Sequence, residues 1–171
     1  MTLAPLIVSA PEAADHGLPP VAIRMDTTGC GMVPTRPAAG VYVWLTGPPG
    51  APLAFGVRLR ESHGGRQVSL AEQVKRLEAS TTDLRFGPEG KVKVAGAELD
   101  AILYFAGQSH ASRAVCLFGV DAGPVGIVVE LTVSAHYRSV EVPASVATQP
   151  NFRKILATFE ASYEPPVKRR A

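Results

Sequence analysis

The residues of this chain best equipped for chemistry are four histidines, two cysteines and a serine–histidine loop. Their spacing matches no catalytic or metal-binding plan. Ser109, His110 and Ser112 lie within Gly107–Ser112 and offer a hydroxyl beside a base. A working triad gathers its members from separate elements around an oxyanion-binding turn, and no Gly-x-Ser-x-Gly elbow is present. His16, His63, His110 and His136 are widely separated, with neither the paired spacing of a zinc site nor a His-Glu-x-x-His. Cys30 stands between Gly29 and Gly31, where its thiol could be accessible. A nucleophilic thiolate there needs a neighbouring base or positive charge, and the sequence places none. Cys116 reads as a strand side chain, and two cysteines are too few for a disulfide framework. Gly47–Gly50 fails as a phosphate cradle because Pro48 and Pro49 lack N–H groups and no Lys-Ser/Thr follows. Glu130 could act as an acid or base, but it reads as a solvated carboxylate on a wet sheet face with no second carboxylate beside it. No cofactor and no metal is implied.

Composition points away from charge-driven partners. Seventeen basic residues face fifteen acidic ones, a net charge of +2, so no global field draws in nucleic acid or an anionic membrane. Much of the basic excess sits in the terminal Lys168–Arg170. No run approaches the roughly 20 apolar residues of a membrane span. Met1–Ala10 is apolar but short, interrupted by Pro5, and follows no basic residue. These features predict a soluble, cytoplasmic protein without membrane insertion. At 171 residues and 46% hydrophobic content, one domain with a sizeable core is expected.

The elements that would position any site are mostly strands. Residues 1–19 are rich in Pro and Ala, with Leu6–Val8 able to pair as an edge. Val21, Ile23 and Met25 alternate. Val41–Leu45 is β-branched and aromatic, and Leu53, Phe55, Val57 and Leu59 share one face of the next run, opposite Arg58 and Arg60. Ser69 and Glu72 form a capping-box pattern ahead of Leu70, Val74 and Leu77, predicting an amphipathic helix over about 69–80. Lys91–Ala95 alternates charged and apolar positions, and Leu99, Leu103 and Phe105 follow opposite Glu98, Asp100, Ile102 and Tyr104. Val125, Ile127, Val129, Leu131 and Val133 form the clearest strand. Pro150 opens a second helix, about 150–161, whose apolar stripe is Phe152, Ile155, Leu156 and Phe159, with Arg153 and Lys154 facing outward. The fold class is therefore α+β, a single-domain sandwich with a central antiparallel sheet and two main amphipathic helices. Residues 1–19 form an N-terminal segment, 20–161 the domain and 162–171 a disordered basic tail.

The order of hairpin, capped helix, sheet meander and closing aromatic helix resembles the PsbP/DcrB-like superfamily, whose fold is shared with the yeast Ran-binding nuclear import factor. The run Ser69–Leu77 is similar to that family's mid-chain helix, and Phe152–Phe159 to its closing helix, over roughly residues 20–161. The resemblance implies an α/β sandwich whose relatives mostly act by binding, and it carries over no functional residues.

The expectation is thus a non-enzymatic protein-binding module, an adaptor or chaperone-like subunit of a bacterial-type cytoplasm. It would bury a partner segment against a sheet face or edge. Aromatic and Arg side chains dominate binding hot spots, which singles out Tyr42, Trp44, Arg58 and Tyr104 as partner-binding residues. The alternatives are a self-assembling subunit, such as a homodimer joined at an edge strand, and then a small-ligand binder or enzyme.

Overall fold

The computed structural model describes residues 3–31, 33–35, 41–46, 53–59, 65–81, 83–107, 113–134 and 146–167, with 33–35, 41–46, 53 and 134 as backbone only. Three ten-residue strands form its centre: β8 (Ala97–Ala106), β9 (Arg113–Ala122) and β10 (Val125–Ser134). Strict alternation along β10 sends Val125, Ile127, Val129 and Leu131 to one face, all fully buried. Gly126, Val128, Glu130 and Thr132 go to the other. Around this meander lie β3 (Val33–Thr35), β4 (Val41–Thr46), β5 (Leu53–Leu59), β6 (Arg85–Phe86) and β7 (Gly90–Val94). The described strands pair antiparallel in the order β3-β4-β5-β10-β9-β8-β6, with β7 also on β8 beside β6.

A second sheet, β1 (Leu6–Val8), β2 (Val21–Arg24) and β11 (Glu160–Tyr163), has β2 at its centre. Val21, Ile23 and Met25 pack from it into the large sheet's apolar face. The helix α3 (Pro150–Thr158) completes that layer. Its stripe buries Phe152, Ile155 and Leu156, and Phe152 and Phe159 each tilt against Phe55 with ring centroids 6.4 and 6.3 Å apart. Pro150 fits the first turn, where no intrahelical N–H bond is needed, and Gln149 Oε1 accepts from the Phe152 amide at 3.0 Å. The opposite face of the large sheet is covered by α2 (Gly65–Ser80), through Leu77 with Leu70 and Val74 against Tyr104, Val115, Leu117 and Val128. The domain is the expected α+β sandwich, but both faces of the central strands are roofed.

Several boundaries depart from the sequence reading. α2 begins at Gly65, so Ser69 is an interior residue and not a cap. The Arg66 amide is instead satisfied by Asp121 Oδ1 from the end of β9 at 2.8 Å, and the Ser69 hydroxyl donates to the Gly126 carbonyl at 3.3 Å. This close seat requires glycine below it: a Cβ at Gly126 would lie 2.3 Å from the Gly65 oxygen, and one at Gly119 2.8 Å from the Arg66 oxygen. The N-terminal segment joins the core. Ser9 caps α1 (Ala10–Asp15), which buries Ala10 and Ala13, while β1 pairs with β2. α3 stops at Thr158 because Phe159 adopts an extended backbone. The chain then continues as β11, so Ser162 and Tyr163 are strand residues and not part of a tail.

Candidate functional site

The sequence candidates separate by position. Tyr42 and Trp44 lie on β4, and their side chains fall outside the described residues. Trp44 pairs in register with Gly56, and an irregularity between Val41 and Val43 interrupts the two-residue repeat at Tyr42. The Ser109–His110–Ser112 loop, Gly47–Gly50, His63, His136 and Lys168–Arg170 are also outside the described residues.

Tyr104 is fully buried, which removes it from any surface a partner could touch. It sits on the face roofed by α2, with Phe86 packed edge-on at 6.3 Å. Burial first, and then the nearby Glu130 charge, push its phenol pKa upward. Glu130 is not solvated as its sheet position suggested; it is 3% exposed. Arg58 on the neighbouring strand donates to its Oε2 from Nη2 at 3.2 Å and from Nε at 3.4 Å, and the Thr132 hydroxyl donates to Oε1 at 3.2 Å. The carboxylate is therefore committed to tying β5 to β10 and is no free base. Arg58, 21% exposed at its side chain, is the half-buried partner of that pair. Two buried atoms nearby in the same layer, the Tyr104 hydroxyl and Gln73 Oε1, have no hydrogen-bond partner among the described residues. Such atoms typically cost about 1–3 kcal/mol each.

The thiols fare no better as nucleophiles. Cys30 is buried, and desolvation raises its pKa despite the nearby Lys154 ammonium. Cys116 is buried against apolar neighbours, which push its pKa up to about 12. Neither forms a disulfide. Among the described residues, no three His, Cys, Asp or Glu side chains converge as metal ligands.

What the structure does present is a groove beside β7. The β7–β8 hairpin turns through Ala95 and Gly96, both in the left-handed region (φ +48° and +85°), the geometry of a two-residue type I′ turn. The flanking pair Val94 and Ala97 then exchanges hydrogen bonds, as do Val92 with Leu99 and Gly90 with Ala101. It follows that the N–H and C=O groups of Lys91 and Lys93 point away from β8. No described strand pairs with them there. The next outward amide, that of Ala95, donates to the Leu156 carbonyl at 2.9 Å and ties the turn to α3. Between β7 and α3 runs a groove of about 530 Å³, a volume suited to a short segment or small ligand. Lys91, Val92 and Lys93 line its strand side, Arg153 and Ala157 its helix side, and Ala147 lines it from the turn that leads into α3.

Comparison with known proteins adds architecture. A structure from Bacteroides thetaiotaomicron superposes with a TM-score of 0.51 over 84% of this chain, at 11% identity. They share a fold. This chain spans 46% of that protein's length, and identity so low shows nothing beyond the fold. PA94 from Pseudomonas aeruginosa, a protein of unknown function, aligns over 66% of this chain and 90% of its own, at 15% identity and a TM-score of 0.41. No known protein family and no curated protein matches the chain.

Sequence reasoning missed the groove although it placed several of its residues. The alternation of Lys91–Ala95 and the outward position of Arg153 were legible. The edge status of β7 and the placement of α3 alongside it are tertiary facts. No helix among the described residues is long and apolar enough to cross a membrane.

Proposed function

We propose that this chain is a non-enzymatic protein-binding module, an adaptor or chaperone-like accessory subunit acting in a bacterial-type cytoplasm. The proposal is in keeping with its resemblance to the PsbP/DcrB-like superfamily. Its mode of action is strand addition, in which an extended partner segment pairs with an open sheet edge and rests on the adjoining helix. The observation that carries this reading is the groove between α3 and the edge of β7, an edge on which no described strand pairs. Both faces of the central strands are occupied by the protein's own α2, α3 and small sheet, which directs a partner to an edge. Among the described edges β7 offers the longest run: β6 has two residues, β1 and β3 have three, and β11 has four.

Lys93→Pro tests it. Proline removes the outward Lys93 N–H while leaving the β8 ladder intact, so an edge strand tolerates it. Affinity capture from the native host with mass spectrometry should lose the partner with K93P, while the melting temperature moves by no more than about 3 °C. Capture unchanged by K93P overturns the reading. Hydrogen exchange gives a check that needs no variant, because a bound partner should protect the Lys91 and Lys93 amides. An open edge would equally serve a second copy of the chain. Light scattering over a concentration series, with K93P as the control, identifies that case.

A further inference from the structure

We infer that the β7–α3 groove selects an extended acidic segment, one with carboxylates at alternate positions and small apolar residues between them. The inference rests on the strand-addition reading above and specifies the chemistry of the partner.

Strand geometry sets the pattern. Along β7, Val92 and Val94 are buried toward α3, whereas Lys91 and Lys93 are exposed on the other face. A strand added to this edge places every second side chain beside the two lysines. Its remaining side chains fall beside Val92, Ala147 and Ala157, whose small or apolar side chains suit small apolar groups.

Charge sets the sign. Three cations, Lys91, Lys93 and Arg153, line the groove against one carboxylate, Glu98. Lys91 already holds Asp100, its cross-strand neighbour, and that pairing raises the lysine pKa and lowers the aspartate's. No ion pair joins Lys93 or Arg153 to a carboxylate among the described residues. Lys93 stands on the strand beside the segment's carboxylates, and Arg153 adds positive charge at longer range from the helix wall. Lysines on an open edge also deter pairing with neutral or basic strands, since an incoming cation would stand opposite its like. An acidic strand meets the two lysines first, with Asp100 and Glu98 one strand further away on β8.

The test uses three fluorescein-labelled octapeptides that alternate Glu, Ser or Lys with Val and Thr, titrated by anisotropy into the full chain. At about 20 mM salt the Glu peptide should bind about tenfold tighter than the Ser peptide, as expected for two surface ion pairs. The margin should shrink at about 500 mM salt, where exposed charges are screened. The double variant K93E/R153E changes two exposed residues and sets a carboxylate opposite Glu98, so its melting curve should move by no more than about 3 °C while the preference reverses toward the Lys peptide. Equal binding of the Glu and Ser peptides, or a preference unmoved by charge reversal, overturns the acidic assignment. If K93P still abolishes binding of all three peptides, that result leaves strand addition itself standing. A homodimer that K93P dissolves would assign the groove to a second copy and overturn the inference. If no peptide binds, the inference fails, and the fate of the broader reading is then decided by capture with K93P.

Discussion

Removing Arg58 should hurt this protein far more than neutralising its partner Glu130, and the asymmetry can be worked from their exposure. The Glu130 side chain is 4% exposed and that of Arg58 is 21% exposed. In R58M the carboxylate stays buried with only the Thr132 hydroxyl for company. Stranding a buried charge in this way costs about 3–5 kcal/mol. In E130Q the amide oxygen can still accept from Thr132 or Arg58, and the guanidinium can lean toward water, so the loss should be about 1–2 kcal/mol. The double change R58M/E130M removes both charges from the layer under α2 and should recover most of the R58M loss. Urea unfolding followed by circular dichroism reads all three. With an m-value of about 2 kcal/mol/M, a loss of about 4 kcal/mol moves the midpoint by about 2 M. An R58M loss no larger than that of E130Q, or a double variant no more stable than R58M, would refute the reasoning.

Other outcomes follow from local geometry. G126A places a methyl 2.3 Å from the Gly65 oxygen, a backbone atom that cannot swing aside. It should lower stability by about 1–3 kcal/mol, and an unshifted thermal melt would show that α2 does not sit where described. Ala95 holds a left-handed φ of +48° at an exposed turn position. A95N, which supplies the Asn-Gly preferred in type I′ turns, should therefore stabilise by about 1 kcal/mol, and a lowered melting temperature would contradict the turn assignment. The Cys116 pKa is raised from 9.0 to about 12, so the folded state keeps a proton that the unfolded chain releases first. Its contribution is intact below about pH 9 and is lost as the pH climbs toward 12, at about 1.4 kcal/mol per pH unit. C116A should accordingly show about 2 kcal/mol less alkaline destabilisation between pH 8 and 10.5 than the unmodified chain, measured by urea unfolding at both values. Equal pH dependence would place the thiol in contact with water.

The large sheet was legible because alternation reports directly on which side chains share a face, and β8 to β10 lie where it predicts. Alternation does not say what covers each face. Glu130 and Thr132 marked their side of β10 as polar, and only the placement of α2 reveals that side as buried. Tyr104 was misjudged for the same reason. In the Pro-rich N-terminal segment, Pro11 sits in the first turn of α1, where proline is tolerated. The Ser69–Glu72 pattern fits a capping box, yet the helix starts four residues earlier because Asp121, 55 positions away, supplies the cap. Long-range satisfaction of this kind leaves no local trace. The groove shares that limit: Lys93 and Arg153 are unremarkable surface cations until β7 is an edge and α3 its neighbour.

The small sheet has one more consequence, for synthesis. β2 is flanked by one strand from the start of the chain and another from near its end, and the Asp26 amide finds its Thr158 hydroxyl 132 residues downstream. At ordinary elongation rates that interval is on the order of ten seconds. Throughout it Val21, Ile23 and Met25 leave the ribosome without the β11 and α3 layer that later encloses them. The nascent protein thus carries a sticky ribbon that α3 must eventually hide, a point where slowed translation should worsen aggregation.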